Sequence, residues 1–170
     1  LASTIHIVNR LDRDTSGLLI VAKHRHVHHL FSEQQKKGEI GRRYEAVVHG
    51  VITVDEGSIV APIGRKADSI IEREVREDGQ YAATNYTVIK RYEDKTHVSL
   101  KLDTGRTHQI RVHMTYIGHP LLGDTLYGGL RTHINRQALH CCEVRFFHPI
   151  LEKEYMFQAE LPKDLQETLK

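Results

Sequence analysis

The stretch from Ala83 to Leu102 constrains this chain more than any other. Thr84, Tyr86 and Val88 alternate with more polar neighbours between Ala83 and Arg91, and the alternation resumes from His97 to Leu102. Successive side chains on a strand point to opposite faces, so a period of two marks a strand with one face against a core. Tyr92-Glu93-Asp94-Lys95 lies between the two runs as a short polar turn, which predicts an antiparallel pair. Such a pair needs further strands beside it and something packed on its apolar face.

The rest of the chain supplies both. Leu18-Leu19-Ile20-Val21-Ala22 is a continuous apolar run after Gly17 and predicts a buried strand. Tyr44 to Val51 predicts another, ended by Gly50 and the acidic Asp55-Glu56-Gly57 loop, and Ile59 to Val75 a pair of extended segments around Pro62 and Gly64. Gln137 to Phe147 and Glu154 to Ala159 predict late strands. Helices are expected over His26–Lys37, with Val27, Leu30 and Phe31 on one face and Gly38 as the stop, and over Thr107–Tyr116, closed by Gly118 and Pro120. A short terminal helix follows Pro162, since proline is tolerated in a first turn. No repeat or low-complexity tract interrupts the 170 residues, so the expectation is one domain over residues 1–170. Its class is α/β (α+β): a mixed, mostly antiparallel sheet carrying helices.

Composition bounds function loosely. With 39% hydrophobic residues the chain can bury a core, and no apolar run approaches the roughly 20 residues that span a bilayer. No charged-then-apolar leader opens it. Cys141 and Cys142 are adjacent, which suits two reduced structural thiols of a cytoplasmic protein better than a disulfide framework. The net charge of +2 does not by itself announce an RNA binder. Distribution says more: Lys36-Lys37, Arg42-Arg43, Arg65-Lys66 and the Arg106/Arg111 region are basic, whereas Asp55-Glu56 and Glu72 to Asp78 are acidic.

Two segments invite chemistry. Asn9-Arg10-Leu11-Asp12-Arg13-Asp14-Thr15-Ser16-Gly17 puts carboxylates in a Gly-terminated turn between apolar runs, and Gly105 to His113 offers arginines at the start of a predicted helix. Burial raises a carboxyl pKa and a nearby guanidinium lowers it by roughly 1–3 units, so a carboxylate kept ionised out of water is expected to have an arginine partner. Either Asp12 or Asp14 could serve, and either could instead bond local backbone as a turn or capping residue. Arg106, ahead of the helix, could hold a phosphate. His24 and His28 have a spacing compatible with a zinc-binding helix, but no glutamate lies between them at the metalloprotease position and no distant ligand is clearly paired, so a polar helix face is expected there and no metal.

Both segments resemble the RluA-type pseudouridine synthases, whose motifs read approximately His-Arg-Leu-Asp-x-x-Thr-Ser-Gly and Gly-Arg-Thr-His-Gln-Ile-Arg-Val-His. This chain has every residue of the second, at 105–113, and Asn9 where the first usually has His. Further matches run through Arg43–Gly50, Ala83–Tyr86, Gly118–Asp124, Ala138–His140 and Phe147–Pro149, so the resemblance covers almost all of the chain. It implies the family's fold, a long, bent, mostly antiparallel sheet with flanking helices and a cleft across its middle. It also implies conversion of uridine to pseudouridine in ribosomal (large-subunit) or transfer RNA, without cofactor.

By the resemblance Asp12 is the nucleophile, Arg111 its partner and Tyr44 the active-site tyrosine, able to stack on uracil or help move a proton. Thr15, Ser16 and Gly17 become the scaffold that aims Asp12. Arg10, Arg42, Arg43, Arg65, Lys66, Arg106, His108 and Gln109 are the candidates for RNA contact. Family members usually carry an extended segment, and often an RNA-binding module, ahead of the first motif, so the chain is expected to be a catalytic core lacking them. A monomer without an obligate protein partner or membrane attachment is expected. Two other classes remain open: a non-catalytic RNA-binding domain that keeps the fold, and a metal-dependent hydrolase built on the His24–His29 cluster.

Overall fold

The computed structural model describes residues 4–170. Eleven strands, three α-helices and one 3-10 turn follow in chain order. They are β1 (His6–Ile7), β2 (Ser16–Gly17), β3 (Val21–Ala22), α1 (Arg25–Lys36), β4 (Gly41–His49), β5 (Glu56–Val60), β6 (Ile63–Arg65) and β7 (Arg73–Val75). There follow β8 (Ala83–Arg91), β9 (Lys95–Leu102), α2 (Gln109–Tyr116), the 3-10 turn Thr125–Tyr127, β10 (Leu139–His148), β11 (Lys153–Gln158) and α3 (Lys163–Glu167).

Seven strands form the main sheet in the order β11-β10-β4-β9-β8-β5, with β2 added parallel to β10 and every other pairing antiparallel. The predicted hairpin is its centre: Thr84 faces Leu102 and Val88 faces Val98, with the Tyr92 N–H bonded to the Lys95 carbonyl across the turn. A bulge at Ile89 and another at Cys142 interrupt otherwise regular registers. A bulge bends a strand and increases its local twist.

Alternation on β4 decides which face becomes the core. Tyr44, Ala46 and Val48 point into the main cluster with Val98 and Leu100 of β9, Leu139 and Cys141 of β10, Ile110 and Met114 of α2, and Phe31 of α1. On the opposite face Val47 joins Leu122, Ile134, Ala138 and Leu165 of α3. The middle of β4 is therefore buried on both sides, which makes it the rigid element from which a site can be built. Helix α1 runs one residue ahead of its predicted span, packs Phe31 edge-on to Phe146 at 5.3 Å, and stops before Gly38, whose φ of +71° ends it.

The apolar run Leu18–Ala22 is not the single buried strand expected. Its backbone changes partners midway: the Leu18 N–H bonds to the Cys141 carbonyl, whereas the Ile20 N–H is captured by Asn9 Oδ1 and the Ile20 carbonyl accepts from Val8. Leu19 and Val21 are accordingly 43% exposed while Ile20 and Ala22 are buried. The second helix also starts later than expected, at Gln109, because His108 adopts a left-handed conformation (φ 56°, ψ 20°).

Candidate active site

Asp12 stands at the first corner of the turn before β2. The Thr15 N–H closes the turn onto the Asp12 carbonyl at 3.0 Å, with Asp14 at φ 68°. Gly17 follows at φ 118° with its bare Cα against β10; a β-carbon there would lie 2.2 Å from the Cys141 carbonyl oxygen. Only glycine permits that approach. The turn is also clamped from outside. Arg136 donates to the Asp14 carbonyl (2.9 Å) and to Ser16 Oγ (3.1 Å), and Gln137 donates to Thr15 Oγ1 (3.1 Å) and the Arg13 carbonyl. Asp164 of α3 holds Arg136 by two bonds of 2.7 and 3.0 Å. The Asp12 carboxylate enters none of these bonds, so it is not spent on capping its own turn.

Its partner is Arg111, on the first turn of α2, with Nη1 3.7 Å from Asp12 Oδ2. That distance is beyond hydrogen-bond reach, so the contact is coulombic. The hydrogen bonds of Arg111 go elsewhere: Nε and Nη2 grip Asp124 at 2.8 and 2.9 Å, and the two side chains are 8% and 1% exposed. The expected Asp12–Arg111 pair is thus present but secondary to a buried pair that sequence reasoning missed. Burial opposes the Arg111 charge, and the Asp124 carboxylate outweighs it, holding the guanidinium above its ordinary pKa. Tyr127, from the 3-10 turn, places its ring 5.1 Å from the guanidinium carbon.

Tyr44 completes the centre from β4, lining one cleft with Asp12, Leu102, Ile110 and Leu139. Burial pushes its hydroxyl up to about 12, so the group is a neutral phenol at physiological pH. Arg42, two residues earlier on the same face, approaches the phenol oxygen at 3.4 Å. Arg10, Arg106 and His108 also line this cleft, and Arg10, Arg42 and Arg106 have no carboxylate partner among the described residues. Three guanidinium groups without carboxylate partners around one cleft suit a phosphate-bearing ligand.

The other candidates are placed less directly. Arg43 points to the opposite face of β4 and pairs with Glu45 at 3.2 Å and Glu143 at 4.0 Å. Arg65 lies on the β6–β7 hairpin, sharing a neighbouring recess with Arg106, whereas Lys66 pairs with Glu72 at 3.3 Å. Gln109 borders the cleft, but its amide is saturated internally: Nε2 donates to the Ala83 carbonyl and Thr84 Oγ1, and Oε1 accepts from Thr104 Oγ1 and the Arg106 N–H. It shapes the cleft wall. His28 spends its Nε2 on the Ile7 carbonyl and its ring on His6, at 5.1 Å, and no three metal-ligating side chains converge among the described residues.

Asp124, Tyr127 and Arg136 are neighbours of the candidate site that the sequence reading passed over. Asp124 was visible as the end of the Gly118–Asp124 block, a signal without a role attached. The cleft and its rim therefore combine a carboxylate free of local bonds, an arginine fixed by a second carboxylate, a neutral phenol and unpaired cations. No helix among the described residues is long and apolar enough to cross a membrane.

Comparison with known proteins shows the family. The family model described as RNA pseudouridylate synthase matches residues 2–116. An uncharacterised RNA pseudouridine synthase of Bacillus subtilis, YjbO, is 55% identical over 168 residues, which cover 99% of this chain and 59% of that protein. The ribosomal large subunit pseudouridine synthase D of Vibrio cholerae is 41% identical over 95% of this chain and 54% of its own length. The chain therefore spans between half and three-fifths of these relatives. Among solved structures, human RNA pseudouridylate synthase domain containing 1 shares the fold with a TM-score of 0.80 at 24% identity, covering 98% of this chain and 79% of that one. The match over residues 2–116, with 55% identity to one relative, places this chain in the RNA pseudouridylate synthase family.

Proposed function

We propose that this chain isomerises uridine to pseudouridine in RNA, with Asp12 as the nucleophile. The observation that carries the reading is the Asp12 carboxylate itself, unspent on its own turn, lining one cleft with Tyr44 and standing 3.7 Å from Arg111. In the reaction the N1–C1′ bond breaks, uracil turns in the pocket, and a C5–C1′ bond replaces the lost one. The proton displaced from C5 must leave and one must reach N1, so the product keeps the composition of the substrate.

Each role has a residue. Asp12 supplies the electron pair or negative charge that the sugar needs as uracil departs. Arg111 stands 3.7 Å from that carboxylate and is itself immobilised by Asp124. Tyr44, neutral because burial raises its pKa, suits stacking on the base and donating a hydrogen bond better than removing a proton. Once C5 is joined to the sugar, Asp12 is the only carboxylate lining the cleft among the described residues and is the group to take the C5 proton.

Arg10, Arg42, Arg65 and Arg106 are assigned to phosphates, because they border the cleft or its neighbouring recess without carboxylate partners. Gln109 supports the cleft wall through the bonds already described, whereas Arg43 and Lys66 are held by carboxylates outside the cleft lining. The target must leave its stack to enter, at a cost of a few kcal/mol offset by those contacts. Large-subunit ribosomal RNA is the first substrate to test, since the relative from Vibrio cholerae is named for it. We take residues 1–170 as one catalytic domain, acting in the cytoplasm as a monomer.

The test is tritium release from RNA labelled at uridine C5, on ribosomal and transfer RNA, with and without a chelator. Release that ignores the chelator and vanishes in Asp12→Asn is expected. Release that persists in Asp12→Asn removes the nucleophile assignment, and chelator-sensitive release overturns the metal-free mechanism.

A further inference from the structure

His108 is the cleft residue whose geometry is most tightly imposed and least explained by the roles above. It is a β-carbon-bearing residue at φ 56°, a conformation that persists only where surrounding structure enforces it. The enforcement is visible: Gln109 Oε1 draws in the Arg106 N–H, and the His108 carbonyl accepts the Val112 N–H to open α2. The ring then meets Tyr127, with His108 Nδ1 2.7 Å from the phenol oxygen.

Hydrogen counting favours one direction for that bond. The Tyr127 oxygen already accepts the Arg73 N–H at 3.0 Å, and its own hydrogen has one acceptor within reach among the described residues, His108 Nδ1. Protonation of Nδ1 instead would strand the phenol hydrogen in a half-buried site. The arrangement that uses both groups has Tyr127 donating to Nδ1 and the ring proton on Nε2. Burial and then the Arg111 charge hold the imidazole below its ordinary pKa, with Asp12 and Asp124 pulling weakly the other way and Arg73 reinforcing Arg111. His108 lines both the Asp12 cleft and the recess behind it, so it stands beside the reacting centre.

We propose that His108 is a further catalytic residue: a neutral imidazole, locked in its Nε2–H tautomer by Tyr127, that donates a hydrogen bond to a carbonyl oxygen of the detached uracil. This rests on the isomerase reading. When N1–C1′ breaks, the bonding pair stays with uracil and its charge spreads onto the carbonyl oxygens; it returns to carbon when C5–C1′ forms. A fixed neutral donor stabilises that charge without giving up a proton. Tyr127 is the positioning residue, and its anchor on the Arg73 N–H links the β6–β7 hairpin to the ring.

Two measurements test the proposal. In nitrogen-15 spectra of the imidazoles at pH 6.5, where an unperturbed ring is about half charged, His108 should show an unprotonated Nδ1 and a protonated Nε2, and Tyr127→Phe should mix the tautomers. A charged ring or an Nδ1–H tautomer overturns the proposal. Second, His108→Gln puts an amide donor near the Nε2 position, whereas His108→Asn keeps an acceptor for Tyr127 and tolerates the left-handed backbone.

The Gln variant should retain most of kcat. The Asn variant should lose about 10²-fold in kcat with KM for RNA and thermal midpoint little changed. A merely structural role predicts the reverse order, and Asn matching wild type, or Gln failing as Asn does, also overturns the assignment. Should the wild-type chain release no tritium at all, the isomerase reading falls and takes this role with it. A wild type that is active alongside an active Asn variant removes only the role of His108.

Discussion

Asp124→Asn is the perturbation that separates a carboxylate that anchors Arg111 from one that merely lies near it. The wild-type carboxylate accepts two bonds of 2.8 and 2.9 Å from a guanidinium that is 8% exposed. The amide keeps one acceptor, turns a donor toward the other guanidinium nitrogen and removes the negative charge, all at nearly constant volume. Breaking one side of a buried pair costs roughly 3–5 kcal/mol, and the retained acceptor puts the expected loss near the lower end, about 3 kcal/mol. For a chain of this length each kcal/mol moves the thermal midpoint by about 2–4 °C, so a fall of about 6–12 °C is expected.

Activity should fall further than stability, because Arg111 is left with Asp12 as its only carboxylate and closes the 3.7 Å gap. The nucleophile is then tied into an ion pair, and tritium release should drop at least about tenfold, as expected when a positioned charge is misplaced. Differential scanning calorimetry with single-turnover release measures both. A second variant guards the inference: Arg111→Met with Asp124→Leu removes both charges and should be inactive yet more stable than Asp124→Asn alone. A midpoint for Asp124→Asn within about 2 °C of wild type, equivalent to less than about 1 kcal/mol, refutes the anchoring argument. So does a double variant less stable than the single.

Other expectations follow from the same geometry. Gly17→Ala should destabilise the protein by more than about 2 kcal/mol, as strain at a positive φ adds to a 2.2 Å clash with the Cys141 carbonyl; urea unfolding checks it. Tyr44 should ionise late: ultraviolet titration of the 7 tyrosines should contain a step near pH 12 that Tyr44→Phe removes. Its native pKa lies above its unfolded value, so its contribution to stability is intact below about pH 10 and is lost as pH rises toward about 12. Arg136→Lys should lose activity nearly as Arg136→Ala does, because an ammonium cannot span Asp164, Ser16 Oγ and the Asp14 carbonyl at once; kcat for both variants decides it.

What the sequence disclosed follows the range of the interactions involved. The Ala83–Leu102 hairpin was legible because alternation and a four-residue turn are local, and the order and antiparallel pairing of β8 and β9 came with it. Asp12, Tyr44 and Arg111 were legible through motif resemblance, and the structure gathers them at one cleft and its rim. Asp124 was not, because nothing local says that an aspartate after glycine will turn inward to an arginine 13 residues earlier. Arg136 reaches Ser16 across 120 residues, a contact no periodicity encodes.

His108 misled for a different reason. Thr107-His108-Gln109 has the composition of a helix start, and its left-handed step is imposed by the Gln109 side chain and by Tyr127. Leu18–Ala22 misled because an apolar run reveals burial but not which strand takes each amide. Asn9, buried and bonded to the Ile20 N–H, decides that from outside the run.

The central claim is that Asp12 performs chemistry rather than holding RNA or the fold. Its most direct test measures, on one RNA, both the single-turnover rate and the affinity of Asp12→Asn beside wild type. The account predicts unchanged affinity and thermal midpoint with turnover abolished, since the carboxylate takes part in no hydrogen bond among the described residues and we assign phosphate binding to the arginines. Turnover within tenfold of wild type, or a loss explained by weaker binding, contradicts it.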